Sequence, residues 1–195
     1  MPHQILLSHC HRDKGAANSL ATLIRRTTLN QIDVWLSSDS RPEGGVSPGE
    51  RWFDSIRKNL ETSRCILALI TPNSLRLPWL YFEVGYAAAK EGMDILPVCV
   101  GIDSLSGVPH PLALYQAYQL RDAESANDLM KRLCSKFQVP YDPEMAKVVI
   151  ERCMSEMQAG QTAESKEAAP PQAALREEIP SLPSMMRHLP PGDLV

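Results

Sequence analysis

The stretch "RCILALITPNSLRLPWLYFEVGYA" (residues 64–87) contains the pattern of a buried strand, a turn and a helix in direct succession. Its first part, "RCILALIT" (64–71), holds an unbroken apolar run. Such a run predicts a strand buried on both faces, which is typical of a parallel sheet covered by helices on both sides. Proline and asparagine then mark a turn, and "PWLYFEVGYAAAKEG" (78–92) predicts the helix that follows. This stretch therefore predicts one strand–helix unit of an α/β protein.

The same alternation of strands and helices continues on either side of this unit. Short apolar runs predict further strands at 4–8, 32–37, 94–102 and 117–121, and helical periodicity predicts further helices at 14–29, 49–63 and 125–137. Alternation of this kind indicates a mostly parallel sheet with right-handed crossover connections. The predicted architecture is a flavodoxin-like doubly wound α/β fold, with about five parallel strands and helices on both faces.

Two segments follow the main domain, which we expect to occupy residues 1–140. "PEMAKVVIERCMSEMQ" (143–158) predicts an additional helix within 141–158, with Met145, Val148 and Val149 available for packing. Residues 159–195 are rich in Pro, Ala, Ser and Glu and cannot bury enough apolar area to offset the entropy lost on ordering. We expect this last region to be a disordered tail.

Composition and charge limit the classes of partner. The chain has 195 residues with a net charge of -3, so no excess of basic side chains favours binding to nucleic acid. No apolar run approaches the ~18 residues that would suggest a membrane partner. The five cysteines form no C-x-x-C pair, which indicates reduced thiols. These features predict a cytoplasmic protein.

Ligands of an open parallel sheet collect beyond the carboxyl ends of its strands. The first predicted strand ends at Ser8 and His9, the second leads to Asp39, and the third ends at Thr71. We therefore expect these polar side chains to gather at one edge of the sheet.

Trp79 and Glu83 lie four residues apart, so they share one face of the helix that follows the third strand. An indole beside a carboxylate suits stacking on a flat ring and hydrogen bonding to sugar hydroxyls. The spacing alone favours a plainer interpretation, in which Trp79 is a core residue and Glu83 points to solvent or caps a local hydrogen-bond network.

Several segments together resemble a TIR (Toll/interleukin-1 receptor-like) domain of the bacterial type. These are "ILLSHCHRDK" (5–14), "VWLSSD" (34–39) with "SPGERWFDSI" (47–56), and the opening stretch 64–87. The last is the most specific, because Thr-Pro-Asn, Pro-Trp and W-x-x-x-E occur in the order typical of the family. The resemblance covers about residues 4–137. A short chain of this kind is similar to the stand-alone TIR component of a two-gene defence system such as the Thoeris type.

The resemblance implies an enzyme that cleaves the nicotinamide–ribose bond of NAD+, because many TIR domains do so with the glutamate of W-x-x-x-E. Glu83 is then the catalytic residue, NAD+ is the substrate, and no cofactor is needed. Nicotinamide leaves a cationic ring as a neutral molecule, so one carboxylate can suffice without a general acid. The implied substrate-binding residues are the stacking Trp79 and four side chains at the strand ends, Ser8, His9, Asp39 and Thr71.

The same resemblance implies partners and leaves alternatives. It implies a homo-oligomer formed through TIR–TIR contacts, a role in anti-phage immunity, and a separate effector that responds to the product. The residue types do not separate hydrolysis to ADP-ribose from cyclisation, because both reactions share the first step. A non-catalytic TIR scaffold or adaptor is one alternative function. A nucleoside deoxyribosyltransferase, which shares the fold and a catalytic glutamate, is another.

Other chemistry has little support in the sequence. His9 and His11 lie two residues apart, but the remaining histidines supply no further ligand cluster, so no metal site is expected. Neither G-x-x-x-x-G-K-[ST] nor G-x-G-x-x-G occurs, so the P-loop and Rossmann fingerprints are absent.

Overall fold

The computed structural model describes residues 3–38, 51–75 and 77–164. It contains one five-stranded parallel sheet with the strand order β2-β1-β3-β4-β5. The strands are β1 (His3–Ser8), β2 (Ile32–Trp35), β3 (Cys65–Ile70), β4 (Asp94–Cys99) and β5 (Tyr118–Gln119). The helices are α1 (Lys14–Thr27), α2 (Trp52–Thr62), α3 (Pro78–Ala88), α4 (Ala123–Phe137) and α5 (Pro143–Glu164). This order is the doubly wound arrangement, so the predicted fold class is confirmed.

Strand β3 lies at the centre of the sheet and is buried along its whole length. It pairs with β1 on one side and with β4 on the other. Alternate side chains enter two separate cores, with Leu67 and Leu69 in the first and Ile66 and Ile70 in the second. The unbroken apolar run of β3 thus reflects two covered faces.

The helices divide between these two cores. The first core receives side chains from α1, α4 and α5, while the second receives side chains from α2 and α3. Helix α3 therefore lies on the opposite face of the sheet from α1. Its position beside β3 and β4 places its first turns near the carboxyl edge of the sheet.

Helix α5 differs from its sequence prediction in length and in packing face. It runs to Glu164, six residues past the predicted end at 158, and contacts α1 and α4. Met145 and Val148 were expected to pack, but they are 74% and 73% exposed. The buried face instead follows helical periodicity through Ala146, Ile150, Cys153, Met154 and Met157. Residues 165–195, in the predicted tail, lie outside the described residues.

The end of α4 carries a backbone conformation that favours glycine. Gln138 is exposed and lies in the left-handed region with φ 57 and ψ 38. Its N–H donates to the carbonyl of Ser135, and Val139 N–H donates to that of Cys134. We expect Gln138→Gly to raise the free energy of unfolding by about 1 kcal/mol, because glycine adopts this conformation without a Cβ penalty.

Chemical denaturation of the full chain measures this effect. Gln138→Ala is the matched control, since it shortens the side chain but keeps the Cβ, and it should show no such gain. A lower unfolding midpoint for the glycine variant than for the alanine variant would contradict the prediction.

Within the described ranges, no helix has both the length and the apolar character needed to cross a bilayer.

Candidate functional site

Glu83 lies in the second turn of α3 and faces the end of β1. The helix begins at Pro78, whose fixed φ suits the first helical position, directly after the extended Leu77. The carboxyl group of Glu83 accepts a hydrogen bond from the hydroxyl of Ser8, the last residue of β1. Glu83 is only 4% exposed and Ser8 only 2%. Glu83 therefore does not point to solvent, and its hydrogen bond from Ser8 agrees with the other branch of the plainer interpretation, a local hydrogen-bond network.

Trp79 supplies a second hydrogen bond to the same carboxyl group. The four-residue spacing places the indole one turn before Glu83, and the Trp79 side chain hydrogen-bonds to it. The indole N–H can only donate, so the carboxyl group is the acceptor. The Trp79 ring also contacts the ring of Phe82, with centroids 5.1 Å apart and an interplanar angle of 33°. Trp79 thus holds the carboxyl group and packs against its own helix.

Burial dominates the electrostatics of Glu83. Loss of hydration raises its pKa from 4.5 to about 7, although the hydrogen bonds from Ser8 and Trp79 act in the opposite direction. Among the described residues, Glu83 makes no salt bridge. The site therefore contains a carboxyl group supported by neutral donors and poised to ionise near neutral pH.

This shift makes the stability of the chain depend on pH. A folded-state pKa above the unfolded value means that the folded chain binds more protons between pH 4.5 and about 7. The resulting contribution to stability is fully present below pH 4.5 and is lost as the pH rises to about 7. We expect the free energy of unfolding to fall by a few kcal/mol across this window, measured by urea titrations.

Glu83→Gln is the control for this pH dependence, because it removes the titrating group. Titration of other side chains remains in both proteins. The free energy of unfolding should fall less steeply with pH in the variant than in the unmodified chain. The same slope for both proteins between pH 5 and 7 would contradict the assignment to Glu83.

A second buried carboxylate, Asp13, joins the loops that follow β1 and β3. Asp13 is 4% exposed and ends the short helical turn His11–Asp13. Its Oδ2 accepts hydrogen bonds from Thr71 Oγ1 at 2.6 Å and from Cys10 Sγ at 2.9 Å. Its Oδ1 accepts one from Asn73 Nδ2 at 2.9 Å. Asp13 therefore links the two loops next to Ser8 and α3.

Thr71 hydrogen-bonds to Asp13 and to the residues that follow β3 through both its hydroxyl and its backbone N–H. Its hydroxyl donates to Asp13 and accepts from the backbone N–H of Asn73 at 3.1 Å. Its own backbone N–H donates to Ser74 Oγ at 2.8 Å. The predicted strand-end residue Thr71 thus shapes the turn between β3 and α3, and its hydrogen bonds run to Asp13, Asn73 and Ser74.

His9 connects the ends of β1 and β2. Its Nε2 lies 2.7 Å from Ser38 Oγ, and its Nδ1 lies 3.3 Å from the carbonyl of Leu7. Because a carbonyl can only accept, Nδ1 carries the proton and the Ser38 hydroxyl donates to Nε2. Burial is the main cause that lowers the pKa of His9, which favours this neutral form. Asp39, the next predicted site residue, lies outside the described residues.

The structure thus brings Ser8, Trp79 and Glu83 into direct contact and places Thr71 and His9 in neighbouring networks. Asp13 was missed by the sequence analysis. Its only signal was an acidic residue shortly after the first strand, within "SHCHRDK" (8–14). Such an acid usually lies on the surface, and nothing in the spacing predicts that it folds back to meet Thr71.

The family model for the TIR domain matches residues 5–134, which include the whole sheet beyond its first residues and the Glu83 site. The chain belongs to the TIR domain family. The predicted membership of the TIR family is therefore confirmed. Helix α5 lies beyond the matched range. No curated protein matches the chain.

A solved structure shares this TIR fold. It is a metazoan TIR-STING receptor from C. gigas in complex with 2',3'-cGAMP, with 20% sequence identity and a TM-score of 0.51. The match covers 65% of the present chain and 38% of the receptor chain. At 20% identity the likeness concerns the fold alone, and the present chain spans less than half the receptor's length.

Within 3–38, 51–75 and 77–164, no group of three or more His, Cys, Asp or Glu side chains could hold a metal ion. All five cysteines are buried free thiols. Burial raises the pKa of Cys10, next to Asp13, to about 12, so its thiol is not activated as a nucleophile.

Proposed function

We propose that this TIR domain cleaves the nicotinamide–ribose bond of NAD+ and that Glu83 is the catalytic residue. The observation that supports this proposal is the buried carboxyl group at the carboxyl edge of the sheet, held by Ser8 and Trp79. Ligands of open parallel sheets bind at this edge. Burying a carboxyl group there costs free energy, which the two hydrogen bonds only partly offset.

The proposed reaction begins with departure of nicotinamide. The bond between ribose C1' and the pyridine nitrogen breaks, and its electron pair moves to the nitrogen, so that nicotinamide leaves neutral. The ribose becomes oxocarbenium-like, and the Glu83 carboxylate balances its positive charge and accepts hydrogen bonds from the ribose hydroxyls. Water then adds to C1' and releases a proton to give ADP-ribose, or an internal nucleophile adds to give a cyclic product.

The magnitude of this stabilisation is sufficient to matter. A positive charge about 4 Å from a carboxylate gains on the order of 4 kcal/mol at an effective dielectric constant of 20. Only the part of this free energy that is gained as the charge moves from the pyridine ring to the ribose lowers the barrier, so a rate factor of roughly 10³ is its upper limit. Ser8 and Trp79 contribute by fixing the orientation of the carboxylate before the substrate binds, so little reorganisation is needed during the reaction.

The other residues have narrower proposed roles. We propose that His9, Asp39 and Thr71 complete the substrate-binding edge, with Thr71 acting through the turn that it shapes. We also propose that Trp79 stacks on a substrate ring in addition to holding Glu83. No cofactor is required for this reaction, because NAD+ itself carries the leaving group.

Product analysis tests the proposed reaction. The purified full chain is incubated with NAD+, and mass spectrometry follows nicotinamide, ADP-ribose and cyclic ADP-ribose-type products. We expect one nicotinamide for each NAD+ lost, and the second product distinguishes hydrolysis from cyclisation. NAD+ that stays intact at every protein concentration would reject the enzymatic proposal and favour a TIR scaffold.

We further propose that the active form is a homo-oligomer assembled through TIR–TIR contacts. If a neighbouring copy completes the site, NAD+ cleavage per chain should rise several-fold as protein concentration passes the association range. Initial rates across a hundredfold dilution series measure this effect, with sedimentation or light scattering on the same samples. Strict proportionality between rate and concentration, with a constant molar mass, would contradict the proposal.

The proposed biological role is anti-phage immunity, in which the product acts on a separate effector. This role rests on membership of the TIR domain family. Its test is the comparison of phage plating on cells that express the chain or its Glu83→Gln variant together with the neighbouring gene product. Equal protection by both forms would contradict a role for the reaction product.

A further inference from the structure

A row of half-buried aromatic rings leads from helix α2 to Trp79. Phe53 of α2 lies beside Phe82 of α3, with ring centroids 6.0 Å apart, and Phe82 lies beside Trp79, with centroids 5.1 Å apart. Building on the proposed function, we propose that Phe53 and Phe82 are positioning residues for NAD+ cleavage, because they fix the indole that donates a hydrogen bond to Glu83. The row links α2 to the catalytic carboxyl group through side chains.

The two ring contacts have a stabilising geometry. The interplanar angles are 44° for Phe53 and Phe82 and 33° for Phe82 and Trp79, so both pairs are tilted. Aromatic rings with centroids about 4.5–7 Å apart attract each other beyond the effect of buried area, and they avoid a face-to-face arrangement. Within the described part of the chain, neither phenylalanine belongs to either apolar core. Their contact is therefore a separate link between the two helices.

Helix α2 is a firm support for this row, because its other end is also tied to the region of α3. Lys90, two residues after α3 ends, donates from Nζ to three backbone carbonyls at the end of α2. These carbonyls belong to Leu60, Glu61 and Ser63, at 3.0, 2.7 and 2.8 Å. An ammonium group has three donors and its charge suits the C-terminus of a helix. Helix α2 is thus held by Lys90 at one end and by the Phe53 ring near the other.

The Trp79 side chain is held from two directions. Its indole N–H donates to Glu83, one turn further along α3, and its ring contacts Phe82. An indole turns about two side-chain bonds, so a hydrogen bond and a ring contact together select one orientation. Without the ring contact, the hydrogen bond alone would have to hold a half-buried indole in competition with water. Phe82 therefore selects the orientation that reaches Glu83, and Phe53 holds Phe82.

Substitutions at the two phenylalanines test this role. Phe53→Leu and Phe82→Leu should each lower kcat several-fold, since a displacement of about 1 Å near the reacting atoms can cost up to about 10²-fold. Phe53→Tyr and Phe82→Tyr keep the ring and should keep kcat. Tyr86→Leu is the matched control. The Tyr86 ring also lies beside Phe82, with centroids 6.4 Å apart, but two turns from Trp79, so its loss should leave kcat unchanged.

A spectroscopic measurement separates positioning from stability and does not depend on catalysis. The full chain has three tryptophans, so an NMR spectrum of the nitrogen-labelled protein contains three indole N–H signals, and Trp79→Phe identifies the one from Trp79. Exchange of this hydrogen in deuterated water reports how often its hydrogen bond opens. In the two leucine variants at Phe53 and Phe82, exchange should be roughly 2- to 10-fold faster, the factor that corresponds to loss of one aromatic pair. It should be unchanged in Tyr86→Leu and in both tyrosine variants.

The outcomes distinguish this inference from the proposed function. Unchanged exchange of the Trp79 indole in both leucine variants would overturn the inference and leave the proposed function standing. An equal loss of kcat in Tyr86→Leu and Phe53→Leu would also overturn it. Intact NAD+ with the unmodified chain would reject the proposed function and any role of the row in catalysis, even if the exchange rates changed as expected. Should Phe82→Leu fail to fold, Phe53→Leu still decides, because that half-buried ring lies on α2.

Discussion

Glu83→Gln is expected to lower kcat for NAD+ cleavage by about 10²–10³-fold, the range measured when one electrostatic contact to a transition state is removed. Glutamine keeps the size of the side chain and can still accept hydrogen bonds from Ser8 and Trp79. It cannot balance the positive charge that develops on the ribose. The same substitution should raise the free energy of unfolding at pH 8, because it removes the need to bury a charge there.

Steady-state release of nicotinamide and denaturant titration at pH 8 measure the two effects. The matched control is Glu91→Gln, since Glu91 is an exposed acid just after α3 and its loss should change neither quantity. If the Glu83→Gln variant were less stable as well as less active, the loss of activity would be explained by damage to the fold. Full activity in that variant would remove Glu83 from the reaction.

Asp13→Ala is expected to destabilise the chain by about 3 kcal/mol. The substitution leaves the buried Thr71 hydroxyl without its acceptor and removes the bonds from Cys10 and Asn73. A buried donor left unsatisfied costs about 1–3 kcal/mol, and bonds to a charged group are at the upper end of the range. Because Asp13 joins the loops after β1 and β3, its loss should also shift Ser8 relative to Glu83 and reduce NAD+ cleavage.

Urea unfolding and NAD+ cleavage below the unfolding transition measure these effects. Asp103→Ala is the control, since Asp103 is exposed and such substitutions usually change stability by less than about 0.5 kcal/mol. Asp13→Asn keeps one acceptor oxygen and should fall between the two. Equal unfolding midpoints for Asp13→Ala and Asp103→Ala would show that the hydrogen bonds of Asp13 contribute nothing to stability.

The fold could be predicted from the sequence because the local hydrophobic patterns agree with the long-range packing. The apolar run of β3 exists only because two cores need alternate side chains of one strand, so the pattern predicts both covered faces. Helix α5 shows where this reasoning fails. Its apolar residues surround much of the helix, and only the contacts with α1 and α4 decide that Ala146 and Ile150 are buried while Met145 and Val148 are exposed.

The candidate site could be predicted only in part, because local spacing does not specify long-range contacts. Helical spacing places Trp79 and Glu83 on one face, but spacing carries no information about what that face meets. Contact with Ser8 joins residues 75 positions apart, so it depends on the pairing of β1 with β3. Asp13 was missed because its partners Thr71 and Asn73 lie 58 and 60 positions away in the sequence. Only the completed sheet brings these loops together.

The most direct test of the central claim is a single-turnover measurement of nicotinamide release, with the chain in excess over NAD+, so that product release does not limit the rate. The unmodified chain should convert all NAD+ to nicotinamide, and Glu83→Gln should do so at least about 10²-fold more slowly while remaining folded. Equal single-turnover rates for the two proteins would contradict the assignment of charge stabilisation to the carboxylate of Glu83.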